Sequence, residues 1–134
     1  MIYKYFQPND KDTKDKYGDC AVRAICKAEN LSWLDAYDIM YKYAREVQCP
    51  MNIKQGYEHI LKSLGYEYGH FKHGGKRPNV KKFATEHKDG TYICVCANHY
   101  VCIKNGHYYD TWDSGEVHLY SYWYKKLIDK NKDI

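Results

Sequence analysis

The sequence predicts an α+β fold in which helices come first and an antiparallel sheet comes last. Apolar residues recur at helical spacing over much of residues 20–87. β-Branched and aromatic residues then dominate residues 91–112. Within that second stretch, Asn105-Gly106 is the residue pair most typical of a two-residue hairpin turn. The length of 134 residues favours one domain over 1–134.

The first predicted helix begins at Cys20 and runs to about Ala28, with Asp19 as its N-cap. Its apolar face consists of small residues, which suits a central helix that a sheet approaches closely. Further helices are expected over residues 32–47, 53–64 and 79–87. Residues 1–18 are polar and are expected to form an irregular lead-in, and residues 70–78 a glycine- and lysine-rich loop.

Strands are expected over residues 66–68, 91–97, 99–104, 107–112 and 117–123. A two-residue turn at Asn105-Gly106 pairs Lys104 with His107, and therefore Val101 with Asp110. His99 and Asp110 then share one face as diagonal neighbours, about 7–8 Å apart at the backbone. A one-residue slip would reverse the faces, in which case Asp113 takes the place of Asp110.

Composition excludes several classes of protein. The net charge of +4 is spread along the chain without a dense basic stripe, so no nucleic-acid partner is expected. No apolar run reaches membrane-spanning length and the first residues lack an apolar leader, so we expect no membrane partner and a cytoplasmic location. Without a leader, the six cysteines are expected to be free thiols.

A metal site is not expected. Cys94 and Cys96 share a strand face and Cys102 follows, but this segment lacks the C-x(2–4)-C knuckle that structural zinc sites favour. We interpret these cysteines as small buried apolar residues, and we expect no cofactor.

Cys20, His99 and Asp110 supply the parts of a thiol nucleophile. A cysteine in the first turn of a helix is favoured as thiolate by the helix dipole and free N–H groups. A histidine is needed to take its proton, and a carboxylate to orient that histidine through an Nδ1–H bond. Trp112, on the same face, is expected to cover the Asp–His bond. Taken singly, Cys20 could be a structural thiol and His99 an exposed strand residue.

These residues resemble the papain-like cysteine peptidase superfamily. Gly18-Asp19-Cys20 is similar to its nucleophile at the start of a central helix, His99 to its base on a strand, and Asp110-Thr111-Trp112 to its Asn-Ser-Trp element. The segments around Cys20 and Asp110 also resemble small proteins of bacteriophages and their low-GC Gram-positive hosts. The resemblance implies a papain-like fold, with the helix of the nucleophile packed on a C-terminal antiparallel sheet. It also implies a source that is either a bacteriophage (a phage-encoded protein acting in the bacterial host) or such a host itself.

The family's oxyanion-hole glutamine, about six residues before the cysteine, is replaced here by Lys14. The resemblance therefore leaves Gln7 or Asn9, brought back by a looped lead-in, as the side-chain donor. The backbone N–H of Cys20 supplies the other donor.

We expect a cysteine peptidase or related thiol hydrolase acting on a peptide or isopeptide bond of a protein or peptide substrate. The 16 tyrosines suit contact with another protein. Two alternatives stay open: a non-catalytic protein of the same fold that binds and inhibits a host protein, and an acyltransferase or transglutaminase-like enzyme with the same triad.

Overall fold

A computed structural model describes residues 1–125 of the chain. Residues 126–134, the last part of the expected domain 1–134, lie outside the described residues. The helices are α1 (Cys20–Glu29), α2 (Trp33–Glu46), α3 (Lys54–Ser63) and α4 (Val80–Glu86). The strands are β1 (Tyr3–Tyr5), β2 (Glu67–His70), β3 (Thr91–Cys96), β4 (His99–Lys104), β5 (His107–Asp110) and β6 (Leu119–Lys125). Within this part of the chain, no helix is both long and apolar enough to cross a bilayer.

The strands form one six-stranded sheet in the order β1-β5-β4-β3-β6-β2. All neighbouring strands pair antiparallel except β1, which pairs parallel to β5 with Tyr3 opposite Tyr108. The α+β prediction is therefore confirmed, but the expectation of an irregular lead-in and a wholly antiparallel sheet is wrong at β1. Three residues are too few to show a strand period. Contacts with β5 hold them, including that of the Tyr3 ring with the tilted ring of Tyr108, 5.4 Å away between centroids.

The central hairpin has the predicted register, with Lys104 opposite His107. Asn105 and Gly106 both have positive φ, 53° and 80°, as a two-residue hairpin turn of this hand requires. Strand β5 ends at Asp110, two residues before the predicted end, because the N–H of Thr111 donates to the side chain of Asp110 (2.8 Å) and leaves the ladder. The open corner of the sheet is the region where β5 ends and β4 begins, at Asp110 and His99.

The predicted caps of α2 and α4 are confirmed. Ser32 accepts a hydrogen bond from the N–H of Asp35, and Asn79 from that of Lys82. Asp19 does not cap α1 through its side chain. Its carboxylate instead forms an ion pair with Arg23 and accepts a hydrogen bond from the indole of Trp33, 2.9 Å away. The first turn of α1 is thereby tied to the start of α2.

The small residues of α1 lie against the sheet, as predicted. Ala24, Ile25 and Cys26 are 1–3% exposed and belong to one apolar cluster with Ile93 and Cys102 of the sheet. Helices α2 and α3 complete this layer. On the opposite face, α4 packs against a second cluster formed by residues of the sheet, including Val101, Ile103 and Tyr108.

Helix α3 is held close to the turn before it by the absence of a side chain at Gly56. A Cβ atom there would lie 2.2 Å from the carbonyl oxygen of Pro50. We expect Gly56→Ala to lower the free energy of unfolding by about 1–3 kcal/mol, because the backbone must move apart. Urea denaturation of both proteins measures this change.

The control is Gly18→Ala, where a Cβ atom meets nothing within 4 Å. We expect this substitution to change stability by less than about 0.5 kcal/mol. Equal effects of the two substitutions would contradict the packing described for α3.

Candidate active site

Cys20 is the first residue of α1 and lies half-buried at the open corner of the sheet. Two groups of β4, the imidazole of His99 and the backbone N–H of Tyr100, act on its sulfur and lower the pKa of the thiol. Tyr100 lies beyond the paired stretch of β4 and β5, whose pairs run from Cys102–Tyr109 to Lys104–His107. Its N–H is therefore free to turn to the sulfur.

His99 is the first residue of β4 and follows Asn98, whose positive φ of 52° closes the turn from β3. Its Nε2 lies 2.6 Å from Oδ2 of Asp110. The predicted pairing of His99 with Asp110 is present, but the expectation that Nδ1 makes this bond is wrong. Because the carboxylate holds Nε2, Nδ1 is the ring nitrogen left for the thiol.

Asp110 is a buried carboxylate, 2% exposed, with several donors. Besides His99, Oδ2 accepts from the hydroxyl of Ser114 (2.7 Å), while Oδ1 accepts from the N–H of Thr111 (2.8 Å). The guanidinium of Arg23 lies 3.4 Å from Oδ1. The carboxylate is thus held in one orientation from several directions.

This arrangement favours charge separation between thiol and imidazole. Burial opposes ionisation of Cys20, yet its pKa lies below the ordinary value because of hydrogen bonds from His99 and Tyr100 and the charges of His99 and Arg23. Burial likewise disfavours the imidazolium, but hydrogen bonds with Asp110 and Cys20 raise the pKa of His99 to about 9. The pKa of Asp110 is lowered despite burial, chiefly by hydrogen bonds from His99 and Ser114.

The other buried cysteines differ in this respect. All six cysteines are free, as predicted. Burial raises the pKa of Cys26, Cys96 and Cys102 to about 12, and that of Cys94 well above its ordinary value. Among residues 1–125, no group of three or more metal-ligating side chains converges on one point.

Trp112 lies beside the imidazole, with its ring 5.2 Å from that of His99 between centroids. Trp112 is 48% exposed and covers only one side of His99. The expectation that it covers the Asp–His bond is therefore wrong. The chain leaves β5 after Asp110 and carries the indole outward. Burial of Asp110 itself excludes water from that end of the bond.

The two expected oxyanion donors are not brought to the thiol. The amide nitrogen of Gln7 donates to Asp15 (2.9 Å), and the amide oxygens of Gln7 and Asn9 accept from backbone N–H groups of residues 9 and 11. Neither residue lines the cleft at Cys20. The lead-in leaves β1 and folds into local turns, which use these polar groups.

Arg23 and Ser114 were missed by the sequence reasoning. Arg23 follows Cys20 by almost one helical turn, so its position on the same side of α1 could have been found from helical spacing. Ser114 gave no such signal, because it reaches Asp110 only through the turn that begins at Thr111. Asp113, the alternative orienting group, instead accepts hydrogen bonds from Tyr108 and Gly115.

A cleft of about 530 Å³ opens in front of the thiol. Its lining includes Cys20, Asn98 and His99. Five aromatic residues also line it, together with the charged residues Lys54 and Glu58; the aromatic residues are Tyr57, Tyr68, Tyr100, Tyr120 and Trp123. An extended segment of chain or a side chain can therefore reach the sulfur.

Comparison with protein-family models, curated proteins and solved structures finds no match to this chain.

Replacing Asp110 by Asn removes the charge that stabilises the imidazolium. We expect the pKa of His99 to fall from about 9 toward its ordinary value of 6.5. NMR titration of the histidine ring protons measures this change. Asp113→Asn is the matched control, because Asp113 binds Tyr108 rather than His99. An unchanged pKa in Asp110→Asn, or an equal fall in Asp113→Asn, would refute the assignment.

Proposed function

We propose that the protein is a compact papain-like cysteine hydrolase that cleaves a peptide or isopeptide bond. One observation carries the proposal: a thiol at the start of a helix lines the same cleft as an imidazole whose Nε2 is held by a buried carboxylate, and that imidazole lowers the pKa of the thiol. The roles are nucleophile for Cys20, acid and base for His99, and orientation for Asp110. A helix bearing the nucleophile against a sheet bearing the other two groups also fits the papain-like arrangement.

The resting state is a thiolate–imidazolium pair. The lowered pKa of Cys20 and the raised pKa of His99 both favour transfer of the thiol proton to the imidazole. The thiolate is the reactive form of cysteine, so the pair provides a nucleophile near neutral pH. A thiolate forms only from a reduced cysteine, and we accordingly propose that the enzyme acts in the reducing environment of a cytoplasm.

Acylation begins when the Cys20 sulfur attacks the substrate carbonyl carbon and the carbonyl electron pair moves to oxygen. As the tetrahedral intermediate collapses, the C–N bond breaks and His99 delivers its Nδ1 proton to the leaving amine. Water then attacks the thioester as neutral His99 takes one of its protons. The C–S bond breaks, the acid leaves, and the proton restores the imidazolium–thiolate pair. Cys20 supplies the covalent steps, His99 the proton transfers, and water the second nucleophile, so this reaction uses no cofactor.

The oxyanion is stabilised in this proposal by the backbone N–H of Cys20. The N–H groups of a first helical turn have no partner within their helix, and this one lies next to the attacking sulfur. Gln7 and Asn9 stand in local turns instead. An oxyanion hole that lacks its side-chain donor is expected to lower the rate on the order of a hundredfold relative to a complete one.

The same observation about Gln7 and Asn9 favours the second candidate, a non-catalytic protein of this fold that binds a host protein. In that case the aromatic cleft is the binding surface, and the Cys20–His99 pair makes no covalent bond.

Incubation with a library of peptides and isopeptide-linked substrates, read by mass spectrometry, tests the proposal. We expect the wild type to cleave a subset and Cys20→Ala to lower the rate by at least about a thousandfold. Cys49→Ala, at a second partly exposed free cysteine, is the matched control and should retain activity. Cleavage by Cys20→Ala at the wild-type rate would contradict the proposal. Absence of cleavage by the wild type would favour the binding protein.

A further inference from the structure

A second cavity, the basic pocket, opens beside the cleft, in the loop that follows β2. It has a volume of about 410 Å³, and its charged and aromatic lining consists of His70, Phe71, Lys72, His73, Arg77 and Tyr120. The loop also contains Lys76. The cationic side chains lie exposed at its rim, where they are available to a ligand.

The charge of this segment is uniform. Between Glu67 and Glu86 the chain contains five Lys and Arg residues and no Asp or Glu. The loop is closed by a hydrogen bond from the N–H of Gly75 to the carbonyl of Lys72 (2.9 Å), and Gly74 has a positive φ of 78°. Lys72 and Arg77, on either side of this turn, both line the cavity.

The basic pocket adjoins the thiol cleft and shares one lining residue with it. Tyr120 lines both cavities, and the Arg77 guanidinium lies 4.9 Å from the centre of its ring. Tyr68 lines the cleft and stacks on the ring of His70, at 5.9 Å between centroids. A peptide bound along the aromatic wall of the cleft therefore reaches Arg77 and His70 next.

We propose that the basic pocket binds an acidic segment of the peptide substrate whose scissile carbonyl lies at Cys20. This inference rests on the proposed function and adds a substrate class to it. Guanidinium and ammonium groups bind carboxylates through charge-assisted hydrogen bonds. A peptide is favoured over a nucleic acid because the adjoining cleft presents a nucleophile suited to a carbonyl, and because the basic residues are confined to one pocket instead of forming a stripe.

Affinity labelling of the thiol tests this proposal without turnover. Two iodoacetyl peptides of equal length, with Asp or Asn in the distal half, are compared for their rate of alkylation of Cys20. At low salt we expect the Asp peptide to react about tenfold faster than the Asn peptide, because the basic pocket raises its local concentration. Added salt should remove most of this difference.

The variant Lys72→Gln/Arg77→Gln should react equally with both peptides. Lys42→Gln/Arg45→Gln, at exposed positions of α2 outside both cavities, is the matched control and removes the same charge. It should retain the preference for Asp. Loss of the preference in both variants would mean that net charge alone attracts the peptide, and the pocket would be rejected.

Two further measurements separate this inference from the proposed function. Iodoacetamide, which is small and neutral, should label Cys20 equally fast in all these proteins. Slow labelling in the wild type would contradict the activated thiol of the proposed function, and would say nothing against the pocket. Fluorescence anisotropy with a labelled Asp-rich peptide reports binding without any thiol chemistry. Binding weakened about tenfold by Lys72→Gln/Arg77→Gln supports the pocket. Unchanged binding, or tighter binding of a single-stranded oligonucleotide than of the peptide, would overturn it.

Discussion

The arrangement at the open corner of the sheet depends on one buried charge, the carboxylate of Asp110. A buried carboxylate is tolerated only when its oxygens are paired, and breaking such a pair typically costs about 3–5 kcal/mol. The partners of Asp110 come from three parts of the chain: His99 from β4, Arg23 from α1 and Ser114 from the turn after β5. Satisfying this one group therefore fixes the helix, the strand and the turn relative to one another.

The same constraint positions the thiol. Arg23 extends from α1 to Asp110 and to Asp19, and Asp19 in turn binds Trp33 of α2. Cys20 lies within this connected segment, at the corner left open where β5 ends. The sulfur is buried enough to be penalised as an anion, and it is nevertheless stabilised as one because donors surround it. Structural pairing and chemical activation have the same origin here.

Local signals predicted much of the fold and the central pair of the site. The hairpin register followed from Asn105-Gly106, since two positive φ values in sequence restrict the turn to one geometry, and this register placed His99 near Asp110. Strand β1 could not be predicted, because its stability comes from pairing with β5, a hundred residues away. The ring nitrogen that faces Asp110 likewise depends on tertiary position, which periodicity does not contain. The hydrogen bond of Gln7 to Asp15 belongs to an irregular loop, which has no periodic pattern to predict it.

The pH dependence of alkylation at each of the six cysteines, measured by peptide mapping in wild type and His99→Ala, tests the central claim most directly. The account predicts that Cys20 alone reacts fast below pH 8.5, the ordinary thiol pKa being about 8.5, and that His99→Ala shifts its profile to higher pH. Removing the imidazole takes away a hydrogen bond and a charge that favour the thiolate, while burial remains. A Cys20 that reacts no faster than Cys49, or whose profile is the same in His99→Ala, would contradict the account.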